Sequence, residues 1–287
     1  MSSLIVTGSI GIDTIHTPTG KADNVLGGSS IYFAAAASFY GSVRLVGAVG
    51  EDFPDALRKP FEHFDIDLEG LEKRAGSKTF RWTGKYLDNM NDRETLSVEL
   101  NVLAEDLPPV PASYVDSEYV FLANTHPGGQ LALRAQFPNA KLVVADTMDL
   151  WIETEPALLK DLLKQIDGLV LNDSEATLLT GETNIVKAAE AVLALGPKFV
   201  VIKKGEHGAF LLHQDGAVAL PAYPARDVVD PTGAGDTFGG GMMGYLAQTG
   251  DLSLAGLKQA MAAGTVVASY NIEKFSLDRL LEINKSD

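Results

Sequence analysis

DPTGAGDTFGGG, residues 230–241, is the strongest signal in the sequence, because it joins a tight turn directly to a predicted helix. A proline restricts the entry to the turn, and the glycines leave the backbone open to close approach by a ligand. Free N–H groups and the positive end of the dipole make a helix N-terminus an anion site. We therefore predict an anion site at Gly233, Ala234 and Gly235, with Asp236 beside it.

Short apolar runs alternate with helical patterns through most of the remaining chain. The predicted strands are LIVTGS (4–9), VRLVGAVG (43–50), YVFLAN (119–124), KLVVAD (141–146), GLVLND (168–173), KFVVIKKG (198–205) and GAFLLH (208–213). Strands this apolar, separated by helices, indicate a mostly parallel sheet covered on both faces, which is a three-layer α/β/α fold. Ligands of such open sheets bind at the carboxyl ends of the strands.

Two segments, 11–18 and 78–103, break this pattern because apolar and polar residues alternate there without an intervening helix. The alternation predicts antiparallel strands with one solvated face. We expect the two segments to meet as a small β-sheet that forms a lid over the site. The chain shows no interdomain linker or internal repeat, so residues 1–287 are predicted to form one domain.

Composition excludes several classes of protein. The 287 residues are 46% hydrophobic and carry a formal net charge of −15, which argues against a nucleic-acid partner. The sequence has no cysteine, so disulfides and thiolate metal sites are excluded. No apolar run reaches the roughly 18 residues of a membrane-spanning helix. The first residues lack the pattern of a secretory signal, and the cytoplasm is the expected location.

Asp236 follows the predicted anion site directly. A carboxylate repels a phosphate group, but it is suited to taking a proton from an attacking hydroxyl. Taken alone, Asp236 could also be a helix cap. The chain has neither a G-x-x-x-x-G-K-[ST] motif nor an early G-x-G-x-x-G motif, which argues against P-loop enzymes and dinucleotide-binding oxidoreductases.

Four motifs together resemble the ribokinase-like (PfkB-type) carbohydrate kinase family. DPTGAGDTFGGG resembles the second family signature, and LGGSSIYFAAAASFYGSVRLVGAVGEDFPD, residues 26–55, is similar to the first. NDSE, residues 172–175, matches the N-x-x-E element, and KKGEHGAFL, residues 203–211, resembles a segment that contacts nucleotide phosphates. The four motifs occur in the family's order, and the resemblance spans essentially the whole chain.

The resemblance implies a kinase that uses ATP and Mg²⁺, with Asp236 as catalytic base and Gly233, Ala234 and Gly235 as anion hole. It also implies residues for the nucleotide and its metal. Asn172 and Glu175 correspond to the motif that helps to hold magnesium and phosphate, with Glu175 acting through water; Mg²⁺ prefers oxygen ligands and retains water. Without the other motifs, these residues could simply start a helix.

Two further parts of the nucleotide site come from the same resemblance. Lys203 and Gly205 are expected to contact phosphate at the end of a strand, although exposed lysines such as Lys203 and Lys204 are usually only solvated. Asp230 and Thr232 match positions near a monovalent-cation site, for K⁺, that occurs in many family members. Turn formation is the alternative role for this last pair.

On the acceptor side, Asp13 corresponds to an aspartate that binds substrate hydroxyls, and a carboxylate accepts two hydroxyl hydrogen bonds well. Gly27 and Gly28 would let the substrate lie against the backbone. The sequence departs from the family pattern at residues 30–32, where sugar kinases often have an asparagine and this chain has Ser-Ile-Tyr. The identity of the sugar therefore stays open.

The predicted lid contributes Phe80, Trp82 and Tyr86, which share a strand face. Packing between lid strands is the favoured interpretation, and an aromatic wall for a sugar or nucleobase is the alternative. His126 and Asp146 follow predicted strands and could reach the site, but a loop histidine and a cap are equally plausible roles.

Three alternatives to a sugar kinase remain open. The first is a nucleoside kinase of the same family, in which the lid aromatics would hold a base. The second is a kinase for a phosphorylated sugar, with Arg81 and Lys85 as candidate phosphate ligands. The third is a catalytically silent ligand sensor, although such a protein would not need Asp236. The resemblance also suggests a homodimer formed through the lid.

Overall fold

The computed structural model describes residues 3–286, which contain thirteen strands. In chain order they are β1 Leu4–Thr7, β2 Gly11–Thr17, β3 Gly20–Gly27, β4 Val43–Gly50, β5 Asp67–Arg74, β6 Phe80–Tyr86, β7 Arg93–Glu99, β8 Tyr119–Leu122, β9 Leu142–Asp146, β10 Gly168–Asn172, β11 Phe199–Lys203, β12 Ala209–His213 and β13 Gly216–Leu220.

The same residues form nine α-helices and four short 3₁₀ helices. The α-helices are α1 Ser29–Ser38, α2 Lys59–His63, α3 Pro127–Arg134, α4 Asp149–Thr154, α5 Pro156–Leu163, α6 Asp173–Thr180, α7 Ile185–Ala194, α8 Ala234–Thr249 and α9 Leu254–Asn271. The 3₁₀ helices are Asp55–Arg58, Asn101–Ala104, Ala112–Tyr114 and Gly205–His207. Across this described part of the chain, no helix has the length and hydrophobicity needed to cross a bilayer.

Nine strands form the main sheet in the order β13-β12-β11-β10-β9-β8-β1-β4-β5. All neighbours from β11 to β5 pair in parallel, and only the β11–β12 and β12–β13 pairs are antiparallel. The predicted α/β fold with a mostly parallel sheet is confirmed. The two edge strands, β5 and β13, were not predicted, because an edge strand is partly solvated and lacks a continuous apolar run.

Helices cover both faces of this sheet, so that the core has two halves. Alternate residues along a strand point to opposite faces. Val6 of β1 packs in the half that includes α1, α8 and α9, whereas its neighbour Ile5 packs in the half that includes α5 and α7. The sequence pattern of fully apolar central strands reflects this double coverage.

The glycines of helix α8 allow it to pack directly against two other helices. A Cβ atom at Gly240 would lie 2.2 Å from the Phe33 carbonyl oxygen of α1, and one at Gly241 would lie 2.9 Å from the Gly264 Cα of α9. The backbones of the three helices therefore approach more closely than larger residues would allow. This packing holds the N-terminus of α8 in a defined place next to the sheet.

A second, smaller sheet has the order β3-β2-β6-β7. It contains strands from both predicted lid segments and also β3, which was not predicted because its residues are mostly polar. The β2–β3 and β6–β7 pairs are antiparallel, whereas β2 and β6, which join the two predicted segments, pair in parallel and not antiparallel as predicted. The reason is that β2 and β6 follow the parallel strands β1 and β5, and so leave the main sheet in the same direction.

Candidate active site

Three polar side chains lie at the carboxyl ends of adjacent parallel strands in the middle of the main sheet. Asp146 ends β9, Asn172 ends β10 and Lys203 ends β11, and Asn172 is paired with Lys203 in the strand register. Because the strands run in parallel, these side chains meet at one edge of the sheet. This is the edge at which open α/β sheets bind ligands.

The N-terminus of helix α8 faces this edge. Gly233 is the residue that precedes the helix, and it has a left-handed backbone with φ of 74°. A Cβ atom at Gly233 would lie 2.3 Å from Cγ of Tyr32, so both the backbone and the available space require glycine. A Cβ atom at Gly235 would lie 2.6 Å from Nζ of Lys203. The Lys203 ammonium group is therefore packed against the start of α8.

The N–H groups of the predicted anion hole are not equivalent. Ala234 N–H donates to the Pro231 carbonyl at 3.2 Å and closes the turn. Within residues 3–286, no acceptor takes the N–H groups of Gly233 and Gly235. Two of the three predicted donors are thus free to bind an anion, and the third supports the loop.

Asp236 lies in the first turn of α8 and is half-buried. Burial raises the pKa of Asp236 to about 7, while the positive charges of Lys203 and Arg93 oppose the shift. A carboxylate with a pKa near neutrality can both accept and release a proton in the physiological range, as a general base requires.

Asp146 is a second buried carboxyl group at this edge, with 6% of its surface exposed. Burial raises the pKa of Asp146 well above its usual range, and the charge of Asp236 adds to the effect. Its Oδ1 atom has no hydrogen-bond partner within the described residues. A buried oxygen without a partner needs an explanation, and a cation or its bound water would supply one.

Asn172 and Glu175 form a capping box at the start of α6. Glu175 N–H donates to Asn172 Oδ1 at 2.8 Å, and Asn172 N–H donates to Glu175 Oε2 at 2.7 Å. The helix-starting role is therefore present in the structure, and it leaves the second carboxylate oxygen of Glu175 available. Burial raises the pKa of Glu175, and the charge of Lys203 counteracts this.

The oxygen donors at this edge fit Mg²⁺. The ion favours oxygen ligands and is usually held by one or two carboxylates together with substrate phosphates and water. Asp146 and Glu175 would supply the two carboxylates, and Asn172 would supply an amide next to them. The sequence alone leaves the role of Asp146 open, although its position at the end of a buried strand is a signal for the ligand-binding edge of the sheet.

On the acceptor side, Asp13 lies in β2 of the small sheet and is 4% exposed. A Cβ atom at Gly27 would lie 1.9 Å from Asp13 Oδ2, so this carboxyl group occupies the space that the glycine leaves. Burial raises the pKa of Asp13 to about 8, and the charges of Asp230 and Asp236 add to the shift. Its Oδ1 atom has no hydrogen-bond partner in residues 3–286.

The backbone conformation at residue 28 requires glycine. Its φ is 102°, and a Cβ atom would lie 2.5 Å from the Ser9 carbonyl oxygen. The Gly27-Gly28 pair therefore lets the start of α1 pack against the segment after β1, which brings Asp13 and helix α1 together. The structure shows this packing role directly, whereas contact with a substrate remains a prediction.

Asp230 and Thr232 brace the loop that precedes α8. Asp230 is fully buried, and its two carboxylate oxygens accept the N–H groups of Thr232 at 2.9 Å and Ser276 at 3.1 Å. The Thr232 hydroxyl donates to the Tyr86 hydroxyl at 3.2 Å, and the Thr232 carbonyl accepts Asn271 Nδ2 at 2.8 Å. The turn-forming role is thus present, and the monovalent-cation site stays a prediction.

Gly205 begins the 3₁₀ helix after β11 and has φ of 51°. A Cβ atom there would lie 3.2 Å from Asn91 Oδ1, at the tip of the β6–β7 hairpin. Asn91 Nδ2 donates to Glu206 Oε2 at 3.0 Å. The small sheet therefore reaches across the edge of the main sheet to the segment predicted to contact nucleotide.

The three lid aromatics have different surroundings. Phe80 packs on Gly11, and Tyr86 is buried against the loop before α8. Trp82 lies on Gly84 and donates to the Thr95 hydroxyl at 3.2 Å, yet it remains half-buried. Packing within the sheet thus accounts for Phe80, and Trp82 keeps surface available for a ligand.

The His126 side chain is engaged at the start of α3. It caps α3 by accepting Gly128 N–H at 3.1 Å, and its ring centroid lies 5.3 Å from that of Trp151. The capping contact accounts for the histidine.

Comparison with known proteins agrees with the geometry. Residues 1–283 match the model of the pfkB family carbohydrate kinases. The chain belongs to this family. A cytidine kinase of Thermococcus kodakarensis is 30% identical over 254 residues, covering 85% of this chain and 89% of the relative. A ribokinase of Staphylococcus aureus is 31% identical over 291 residues, covering 95% and 91%.

A solved structure supports the same fold. Ribokinase from Cryptococcus neoformans var. grubii serotype A, in complex with ADP, superposes with a TM-score of 0.81 at 20% identity, covering 98% of this chain and 97% of the neighbour. Membership of the pfkB family makes this protein an ATP-dependent phosphotransferase that acts on a small sugar-like acceptor. ATP and Mg²⁺ are the cosubstrate and metal that this activity implies.

Proposed function

We propose that this pfkB kinase transfers the γ-phosphoryl group of ATP to a hydroxyl of a ribose-like sugar bound at Asp13, with Asp236 as base. The observation that carries the proposal is the arrangement around the start of α8. Free N–H groups, the Lys203 ammonium group and a carboxyl group with a pKa of about 7 meet there.

Each side chain has a defined part in the transfer. The acceptor hydroxyl oxygen attacks the γ-phosphorus as its proton passes to Asp236, and ADP leaves. The N–H groups of Gly233 and Gly235 stabilise the charge on the transferring phosphoryl oxygens, because donors aligned in advance need no reorganisation. Lys203 adds a positive charge at the same place. Mg²⁺, held with ATP by Asp146, Asn172 and Glu175, would neutralise phosphate charge.

On the acceptor side, we propose that Asp13 binds two neighbouring hydroxyls. Its buried Oδ1 has no partner among the described residues, and a hydroxyl group would satisfy it. Burial raises the pKa of Asp13 to about 8, which favours its protonated form at neutral pH. A polyol that donates hydrogen bonds to the carboxylate favours its ionised form, so binding would lower this pKa.

The experiment is an acceptor panel with ADP release as readout, run on the wild type and Asp236→Asn in parallel. The panel contains pentoses, hexoses, sugar phosphates and nucleosides. Loss of a general base costs about 10²–10⁴-fold, and Asp236→Asn should reduce kcat by that order without loss of folding. An Asp236→Asn enzyme with near-normal turnover would refute the assignment. ATP binding without turnover of any acceptor would favour a silent sensor.

A nucleoside acceptor is the second candidate. Trp82 is aligned with Asp13 in the β2–β6 register and is half-buried, so a base could stack on it while the ribose binds Asp13. The cytidine kinase relative supports this candidate. Stacking on an aromatic side chain contributes about 1–3 kcal/mol per base. If nucleosides turn over and ribose does not, Trp82→Ala should raise the KM for the nucleoside and leave the KM for ATP unchanged.

The arrangement of basic residues disfavours a phosphorylated sugar. Arg81 is paired with Asp52 at 3.0 Å and contacts Asn24 Oδ1 at 3.3 Å. Arg81 and Lys85 also alternate with Trp82 along β6 and so point away from the face that carries Asp13. Neither side chain is therefore placed to bind a phosphate on the acceptor.

Two finer features belong to the same proposal. The loop of Asp230 and Thr232 is proposed to respond to K⁺, which the panel tests when K⁺ is replaced by tetramethylammonium. We also propose a homodimer through the small sheet, since every residue of its edge strand β7 is exposed. Leu96 and Val98 on this strand are each 53% exposed, which would favour pairing with a second copy.

A further inference from the structure

The β6–β7 hairpin of the small sheet is held at two places on the main domain. Beside its turn, at the end of β6, the Tyr86 hydroxyl accepts a hydrogen bond from the Thr232 hydroxyl in the loop before α8. At its tip, Asn91 contacts Glu206 and Gly205 after β11. Tyr86 and Asn91 are only five positions apart, so the hairpin bridges the space between the anion loop and the nucleotide segment.

Arg93 is the residue that this bridge places over the site. It is the first residue of β7 and is paired with Tyr86 in the β6–β7 register, so the two side chains share a face of the sheet. Tyr86 faces the loop before α8 through its contact with Thr232. The Arg93 side chain therefore projects from the face of the small sheet that is turned towards Asp236.

The electrostatic surroundings agree with this placement. The charge of Arg93 lowers the pKa values of Asp236 and Glu175, and it also acts on Tyr86. Arg93 is nevertheless exposed, and its side chain forms no hydrogen bond or ion pair with any other residue in 3–286. A guanidinium group close to two carboxylates, yet bonded to neither, keeps all its N–H donors available for a ligand.

We propose that Arg93 binds the transferring phosphoryl group from the small sheet, opposite the Lys203 ammonium group and the N–H groups at the start of α8. The inference rests on the proposed roles of Asp236 and the anion hole. A guanidinium group presents paired donors that match two phosphoryl oxygens. The three oxygens of the transferring phosphoryl group would then accept hydrogen bonds from Arg93, Lys203 and backbone N–H groups. Arg93 keeps its proton throughout.

Arg93 also links catalysis to the position of the hairpin. Since it belongs to the small sheet, it reaches the phosphoryl group only while the Tyr86 and Asn91 contacts hold the hairpin over the site. Nucleotide bound without this hairpin in place would lack one positive charge at the γ-phosphoryl group. Transfer is thereby favoured when the site is covered and water is excluded.

The test compares Arg93→Ala, Arg93→Lys and the control Lys21→Ala with the wild type, using whichever of D-ribose and cytidine turns over. Lys21 lies in β3 of the same sheet, is exposed and is paired with Asp23 at 2.7 Å. Its replacement removes the same charge without touching the site. For each enzyme we would measure kcat, both KM values, affinity for Mg²⁺–ADP and the melting temperature.

Removal of one donor to a transition-state charge costs about 10²–10³ in kcat, and we expect a loss of this order for Arg93→Ala. Arg93→Lys should recover part of it, because it keeps the charge and loses the paired geometry. Affinity for Mg²⁺–ADP should stay unchanged, since ADP lacks the γ-phosphoryl group. The melting temperature should also stay unchanged, and Lys21→Ala should behave as the wild type.

Two results would overturn the inference. One is an Arg93→Ala enzyme whose kcat is within about threefold of the wild type, far from the loss expected for a transition-state donor. The other is a defect confined to the KM of the acceptor, which would place Arg93 on that substrate instead. The Asp236→Asn variant distinguishes failure of the inference about Arg93 from failure of the proposed function. If Asp236→Asn is inactive while Arg93→Ala is normal, only the inference about Arg93 is wrong.

Discussion

Replacement of Gly233 by alanine should lower kcat, because alanine fits neither the backbone conformation nor the space at this position. The residue has φ of 74° and ψ of 0°. This left-handed conformation costs an alanine about 1–2 kcal/mol. The new Cβ atom would also lie 2.3–2.5 Å from three ring atoms of Tyr32, which is fully buried and cannot move aside. Relief of the overlap requires a shift of the loop by on the order of 1 Å, to reach the ~3.5–4.0 Å of ordinary carbon contacts.

Such a shift would displace the free N–H groups from the phosphoryl group. A misplacement of about 1 Å can cost about 10²-fold in rate, so we expect kcat of Gly233→Ala to fall by that order. Gly181 offers a matched control, because it has nearly the same backbone, φ of 77° and ψ of 0°, with no atom within 4 Å of an added Cβ. Gly181→Ala should share the conformational cost in stability and keep full activity.

The assay is steady-state ADP release together with thermal unfolding of both variants. Loss of kcat only in Gly233→Ala, with Gly181→Ala losing about the conformational cost in stability, would support the placement of the anion hole. If the two variants retained the same kcat, the loop before α8 would not be the place where the phosphoryl group is transferred, and the reasoning would be refuted.

The remaining predictions concern pH and assembly. Because Asp236 must be ionised to accept a proton and burial raises its pKa to about 7, kcat at saturating acceptor, which keeps Asp13 ionised, should fall as the pH drops below about 7. Lys203→Met removes the positive charge that opposes the shift most strongly, so it should move this acid limb to higher pH; Arg93 and Glu175 also act on the pKa of Asp236 and remain in place. A limb that stayed fixed would mean that another group titrates. Sedimentation should show a dimer that Val98→Lys converts to monomer, and a wild-type monomer would contradict the proposed interface.

Much of the fold could be predicted because its signals are local. The central strands are buried on both faces, so each is a continuous apolar run that is visible without a structure. The strands β3, β5 and β13 lie at sheet edges, where polar residues are tolerated, and their sequences carry no such run. Their pairing depends on neighbours that are distant in the chain.

The candidate site was predictable to a similar extent. Asp236, Gly233 and Gly235 lie within four residues of one another, so their proximity follows from the chain itself. Arg93 gave no signal, because an arginine on an exposed strand is usually only solvated. Its relation to Asp236 depends on where the small sheet sits.

The layered α/β core, the anion loop before α8 and the candidate base follow from the amino-acid sequence alone, since each depends on the order of residues over one strand, turn or helix. The packing of distant elements brings Lys203 against Gly235, places Tyr32 under Gly233 and joins Tyr86 of the small sheet to Thr232. These contacts join residues more than thirty positions apart. Their geometry is set by how the helices and the two sheets pack, and no local pattern encodes that packing.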